Sequence, residues 1–189
     1  IWAEISYFSR WWDDSSEGMR RDAKELIQSG QLEIVTGGWV MNDEANTHVN
    51  AIVSQIQNGH RWLERHVGVK PKYGWAIDPF GHSPTMAYVA KQLGFDGILI
   101  QRVYYAVKKY LASKKQLEFF WRQEWDASVD APPGAASTDT FTHLMPFFSY
   151  DTPHSCGPNP KICCQFDFAR FVNAWATIVR MLSSISVRV

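Results

Sequence analysis

"YGWAIDPFGHSP", residues 73–84, runs from a strand through a turn to the start of a helix. Its first half, YGWAID, is an apolar run of the kind buried in a parallel sheet. Pro79, Phe80 and Gly81 then turn the chain, and Ser83 stands where a helix cap belongs. Pro84 follows at the first helical position, where a fixed φ and a missing N–H do no harm. Gly94 can close that helix, and GILIQR, residues 97–102, reads as the next strand. Strand, crossover helix and strand make the unit of a parallel sheet.

The same alternation extends in both directions. Upstream, residues 1–6 (IWAEIS) read as a first strand. Asp14 and Glu17 mark a helix start, Met19, Ala23, Leu26 and Ile27 recur on one face, and Gly30 stops the helix. LEIVTGG, residues 32–38, reads as a second strand. Thr47 then caps a helix whose inner face is Val49, Ile52, Val53, Ile56 and Leu63, ending near Gly68. Downstream come a basic helical segment (103–115), the run QLEFFWR (116–122), a Pro/Gly/Ser-rich loop (127–138) and a further strand candidate from Phe141. The expected fold is α/β: a partial (β/α) barrel with parallel strands and crossover helices, incomplete at both ends.

Composition narrows the function classes. The 189 residues are 46% hydrophobic, enough for a sizeable core, which argues against disorder. Lys plus Arg equal Asp plus Glu at 19 each, so no basic excess points to nucleic acid or to an anionic membrane surface. A neutral ligand fits better, and nine tryptophans with seven tyrosines suit stacking on sugar rings as well as core filling. The three cysteines fall in HSCGPNPKICCQF, where a turn can bring Cys156 near Cys163 or Cys164 and one thiol is left over. That odd count favours a secretory compartment with a mate elsewhere, although all three fit free cytosolic thiols too. No Asn-x-Ser/Thr acceptor is present.

In βα architectures the C-terminal ends of the strands form the functional face, and Asp78 lies at such an end. An Asp before Pro also initiates turns, so position alone favours a local role. Arg102 ends the following strand on the same face, where a guanidinium would keep Asp78 ionised and oriented, and Trp75 and Phe80 would supply apolar walls. His82 has the chemistry of a metal ligand, but the turn separating it from Asp78 favours a structural role. Tyr150 and Asp151 follow the last strand and can reach the same face. Asp43 and Glu44 read as loop and cap residues. His143 and His154 have no partner in a His-x-Asp, His-Glu-x-x-His or Cys-x-x-Cys arrangement, so no self-contained zinc site is legible.

The blocks TGGWVMNDEAN, WAIDPFGHSPTMAY, LIQR, LEFFWRQ, PFFSYDTPHSCGP and CCQFDFAR, in that order, resemble glycoside hydrolase family 38 and its Golgi branch in particular. The resemblance covers residues 1–171, part of the family's N-terminal catalytic domain. It leaves 172–189 as a divergent tail in which Trp175, Ile178, Val179, Met181, Leu182 and Ile185 fit an apolar helical face. It implies a retaining, zinc-dependent α-mannosidase that trims N-glycans in the Golgi lumen, its parent a type II membrane protein. It further implies Asp78 as nucleophile and zinc ligand, Phe80, Arg102, Tyr150 and Asp151 as substrate contacts, and a Cys156–Cys163 disulfide with the mate of Cys164 downstream. The family's other zinc ligands and its acid/base come from regions upstream and downstream of these residues, so the chain alone is expected to be inactive. Two other readings use the same residues: a catalytically dead mannose-binding module, and a metal-dependent carbohydrate deacetylase that recruits His82.

Overall fold

The computed structural model describes residues 1–125, 130, 132–146 and 150. Among these residues five helices, α1 (Ile5–Asp14), α2 (Glu17–Gln28), α3 (Val49–His66), α4 (Pro84–Gln92) and α5 (Tyr105–Ser113), accompany four strands, β1 (Tyr73–Ala76), β2 (Gly97–Ile100), β3 (Glu118–Trp121) and β4 (Thr140–Leu144). The strands form one open sheet in the order β1-β2-β4-β3. β1, β2 and β4 run parallel, with Ala76 opposite Ile100 and Ile100 opposite Leu144. This is the expected α/β class, an unclosed sheet with crossover helices that is consistent with part of a barrel.

The first expected strand is instead the start of α1. Ile5, Phe8 and Trp12 recur at helical spacing and are all buried, so burial of one helical stripe overrides the strand reading of IWAEIS. Only Trp2 keeps an extended contact, a parallel bridge to Ile34. The α1 stripe packs on Ile34, Leu63 and Val67, and Phe8 lies within ring contact of Trp11, Trp12 and Trp62.

The second expected strand is likewise reduced to that single bridge. Thr36 (φ 53°) and Gly37 (φ 70°) both adopt left-handed backbone, which stops extension after Val35. Thr36 compensates with its side chain: Oγ1 accepts the Trp75 N–H at 2.7 Å, while its own N–H donates to the Tyr73 carbonyl at 2.7 Å. A hydroxyl thus stands in for a ladder partner on the outer edge of β1.

Helix starts follow the sequence with small shifts. Ser16 caps α2, accepting from the Met19 N–H, and the His48 Nδ1 caps α3 in place of Thr47. Ser83 caps α4 with Pro84 in its first turn, and Gly94 (φ 75°) lies just past its end, as the sequence implies. The buried stripes are narrower than the periodicity predicts: Met19 and Leu26 on α2, and Val49 and Val53 on α3, are exposed.

QLEFFWR forms β3, but antiparallel to β4 rather than as another parallel unit. The base of the β3–β4 connection is closed by Arg122, whose Nε donates to Asp139 Oδ1 at 2.7 Å and whose Nη2 donates to Asp139 Oδ2 at 2.8 Å. The Asp139 side chain is fully buried, and its pKa is lowered first by Arg122 and then by the N–H groups of Gly134 and Ala136. A chain returning through this clamp can only pair antiparallel with the strand it has just left.

Candidate active site

Ala76 and Ile100 are partners in the parallel register, so two further residues on each strand bring Asp78 and Arg102 to the same end of the sheet. Arg102 Nε donates to Asp78 Oδ1 at 3.0 Å, and Nη2 of the same guanidinium donates to that oxygen as well. Tyr150 hydrogen-bonds to the same carboxylate. The Arg102 bond first, and Tyr150 second, hold Asp78 below the usual carboxylate range. Both side chains of the pair are about half exposed, at 49% for Asp78 and 46% for Arg102, so the ion pair faces solvent rather than the core.

Two rings flank the guanidinium: its carbon lies 5.3 Å from the centre of Phe80 and 5.9 Å from that of Tyr150. Phe80 is itself 79% exposed, an aromatic face open to a ligand. Behind Arg102, the buried Lys108 donates to the Gln101 carbonyl at 2.6 Å and to its Oε1 at 2.9 Å, which fixes the strand end on which Arg102 sits. Burial pushes the Lys108 pKa down.

A cavity of about 370 Å³ opens beside Asp78, bordered also by Glu4, Asp43, Phe80 and Tyr150. A second, of about 730 Å³, shares Phe80 and Tyr150 and extends past Arg102 toward Tyr104 and Lys108. An ionised acid, a fixed cation and exposed aromatic faces around an open cleft suit a polyhydroxylated ring, which offers hydroxyls to the charges and C–H faces to the rings.

The structure thus gathers Asp78, Phe80, Arg102 and Tyr150. Trp75, expected as a second wall, lines a small interior gap with Met86 and Ala87 instead of the Asp78 cleft. Gly74 and Ala76 line the same gap, so this length of β1 serves the packing against α4, and the chain reaches the cleft only beyond the strand. Asp43 does serve its own turn, with Oδ1 accepting the N–H groups of Ala45 and Asn46 at 2.7 Å, yet it also borders the cavity. Glu4, which the sequence reading passed over, accepts the Met41 N–H at 3.0 Å and borders the cavity too. It sat inside an expected strand with no motif around it, so nothing local marked it. His82 is buried and bonded to Glu44, and His143 pairs with Glu118 across β3 and β4 at 2.8 Å. Asp151, His154, Cys156, Cys163, Cys164 and the tail lie outside the described residues.

The chain matches the model of the glycosyl hydrolases family 38 N-terminal domain over residues 1–186. It is 59% identical to alpha-mannosidase 2 of Rattus norvegicus over 170 residues, which is 90% of this chain and 14% of that protein. Alpha-mannosidase 2 of Drosophila melanogaster is 55% identical over the same share of the chain and 15% of its own length. The lysosomal alpha-mannosidase of Dictyostelium discoideum is 48% identical over 65% of the chain and 12% of its own length. The chain therefore spans about one seventh of the length of the first of these relatives. An acid and an arginine set side by side at adjacent strand ends, together with these matches, lead to one conclusion: the chain belongs to glycoside hydrolase family 38, within its N-terminal domain.

Proposed function

We propose that this chain carries the nucleophile half of a retaining α-mannosidase that removes terminal α-linked mannose from N-glycans. The observation that carries the proposal is the Asp78 carboxylate, held ionised by Arg102 and Tyr150 over an open aromatic cleft. Both Arg102 bonds fall on Oδ1, which leaves Oδ2 outside that grip and able to attack the anomeric carbon. In the first step a bond forms from the Asp78 carboxylate to that carbon as the glycosidic C–O bond breaks. A second carboxyl group, about 5–5.5 Å from the first in retaining enzymes, gives its proton to the departing oxygen. That group comes from elsewhere on the parent polypeptide. Water then releases the sugar with the second group acting as base. Phe80 supports the sugar face, while Arg102, Tyr150 and Asp151 contact its hydroxyls.

The family also implies zinc. A carboxylate oxygen is a donor zinc accepts, but no group of three His, Cys, Asp or Glu among the described residues could hold a metal ion. Asp78 therefore fits as one ligand of a site whose other ligands lie elsewhere. Zinc, when bound, supplies Lewis-acid polarisation and a template for neighbouring sugar hydroxyls. A Cys156–Cys163 disulfide and a Golgi-lumenal setting for a membrane-anchored parent belong to the same proposal, supported by similarity to the proteins named alpha-mannosidase 2. No helix among the described residues is long and apolar enough to cross a membrane.

The test is Asp78→Asn in the native full-length polypeptide, assayed for mannose release and for mannoside binding. Loss of turnover by at least about 10³-fold with binding retained is the expected result. Treating the unaltered protein with a fluorinated mannosyl fluoride should leave a covalent sugar on Asp78, located by peptide mass spectrometry. A label on another acid would remove Asp78 as the nucleophile, and an unaltered protein that binds mannosides without cutting them would replace the proposal with the lectin reading.

A further inference from the structure

Asp78 and Phe80 sit on the segment between β1 and α4, so whatever fixes that segment fixes the site. We infer that Glu44 is a positioning residue for hydrolysis, holding the turn that presents Asp78. The inference rests on the mannosidase reading above and assigns the reaction a residue that never touches the sugar.

Glu44 Oε2 accepts the Ser83 N–H at 2.6 Å, and Oε1 takes His82 Nδ1 at 3.2 Å. A carboxylate oxygen only accepts, so Nδ1 carries the proton. Both side chains are 4% exposed, which places this polar pair inside the protein beside a solvent-facing site. Ser83 caps α4, and in a self-contained capping box an acid three residues on would take the cap's own N–H. That position is Met86, and Glu44 fills the role from 39 residues upstream.

Among the described residues, the side-chain hydrogen bonds that tie positions 79–83 to another element are these two. Gly81, at φ 124°, adds backbone freedom just before them. Among the described residues His82 Nε2 is buried without a partner, so the ring is poor apolar filling, and its placement answers to the bond at its other nitrogen. Glu44 is well founded in its turn. Gln55 accepts the Val40 N–H at 3.1 Å and donates to Asn42 Oδ1 at 3.0 Å, while Glu4 takes the Met41 N–H. A line of hydrogen bonds thus runs from α3 and the start of α1, through the 40–46 loop and Glu44, to the turn that carries the acid.

Arg102 and Tyr150 hold the near end of this segment at Asp78; without Glu44 its far end loses both of its side-chain ties, and a displacement of about 1 Å at a reacting group costs on the order of 10²-fold in rate. The experiment uses the native full-length polypeptide with Glu44→Ala, Glu44→Gln and Glu44→Asp, plus Val67→Ala as a buried control in the α1–α3 core. Readouts are kcat and KM on an aryl α-mannoside, the rate of covalent labelling by a fluorinated mannosyl fluoride, and Tm. Glu44→Ala should lower kcat and the labelling rate together by about 10–100-fold, with KM changed by less than about threefold. Glu44→Gln keeps one oxygen for the Ser83 N–H and should recover most of that loss. If Glu44→Ala fails to accumulate, Glu44→Asp, which withdraws the carboxylate by one methylene, should still depress kcat about 10-fold. Unchanged kcat in these variants, or a loss that only tracks the Tm drop as in Val67→Ala, overturns the inference and leaves the mannosidase reading standing. An unaltered protein that releases no mannose overturns both.

Discussion

Gly59→Ala would drive a methyl group into the backbone that shapes the cleft. Gly59 lies in α3, and a Cβ there would sit 2.0 Å from the Gly37 carbonyl oxygen, 2.7 Å from the Gly38 carbonyl carbon and 2.8 Å from the Trp39 nitrogen. All three are main-chain atoms, so no side chain can swing aside, and α3 and the 37–39 segment must separate by an ångström or more. Three main-chain bonds border that seam: Ile5 N–H to Gly38, Ser6 N–H to Trp39 and Trp39 N–H to Gln55, at 2.9, 2.9 and 3.1 Å. Overpacking costs about 1–3 kcal/mol, and weakened bonds at this seam add roughly 1 kcal/mol each where they break. Replacing Gly by Ala within a helix returns only about 1 kcal/mol. The net expectation is a destabilisation of about 2–5 kcal/mol, or a fall in Tm of roughly 5–15 °C for a folding unit of this size. Thermal unfolding of the native polypeptide measures it. Gly18→Ala provides the control: its nearest neighbour would be 3.8 Å away, and it should be neutral or slightly stabilising. If Gly59→Ala matches that control, helix propensity outweighs the clash and the tight seam is not real.

Asp139→Asn removes half of a buried ion pair and should cost about 3–5 kcal/mol, read as a lower urea midpoint at unchanged slope. Because the native pKa of Asp139 is lowered, its stabilisation is complete above the ordinary carboxylate value and disappears as pH falls through the lowered native value; acid unfolding of Asp139→Asn should lack that component. Tyr150→Phe withdraws one of the two bonds that depress the Asp78 pKa, so the acidic limb of the kcat/KM profile should move to higher pH, and a limb that stays put would separate it from Asp78. Thr36→Val keeps the side-chain shape but strands the Trp75 N–H, which should cost about 1–3 kcal/mol; an unaffected Tm would mean that water replaces the hydroxyl at the edge of β1.

What the sequence disclosed and what it hid divide along one physical line. The β1–α4–β2 unit was legible because its signals are local: an apolar run, a Ser-Pro helix start and a glycine stop lie within a few residues of one another. The pairing of Asp78 with Arg102 followed from that unit alone. IWAEIS was misread because a short apolar run fits either period, and only the continuation through Phe8 and Trp12 discloses a helix. The 32–38 segment hid a left-handed threonine, a conformation that β-branched residues rarely adopt and no propensity would suggest. The direction of β3 depended on the Arg122–Asp139 clamp, and the role of Glu44 on its reach to Ser83; both are contacts at a sequence distance that patterns do not carry.

The site's geometry rests finally on register. A slip of one residue between β1 and β2 would move Arg102 along its strand by about 3.3 Å and turn it to the other face of the sheet. The ion pair with Asp78 could not then form. Gly74 opposes such a slip, and Gly97 fits β2 closely against β4. A Cβ on Gly74 would meet the Ile98 Cγ2 at 2.7 Å, and one on Gly97 would meet the Phe141 ring at 3.1 Å and its carbonyl oxygen at 3.2 Å. Gly74 is the register partner of Ile98, so the missing side chain on one strand receives the branched one on the other. Shifted by one, Gly97 would stand opposite Gly74 and leave a void, while Ile98 would face a residue with a side chain of its own. The pairing of small against large side chains within β1 and β2 is therefore what delivers the acid and the arginine to one place, two residues beyond the sheet.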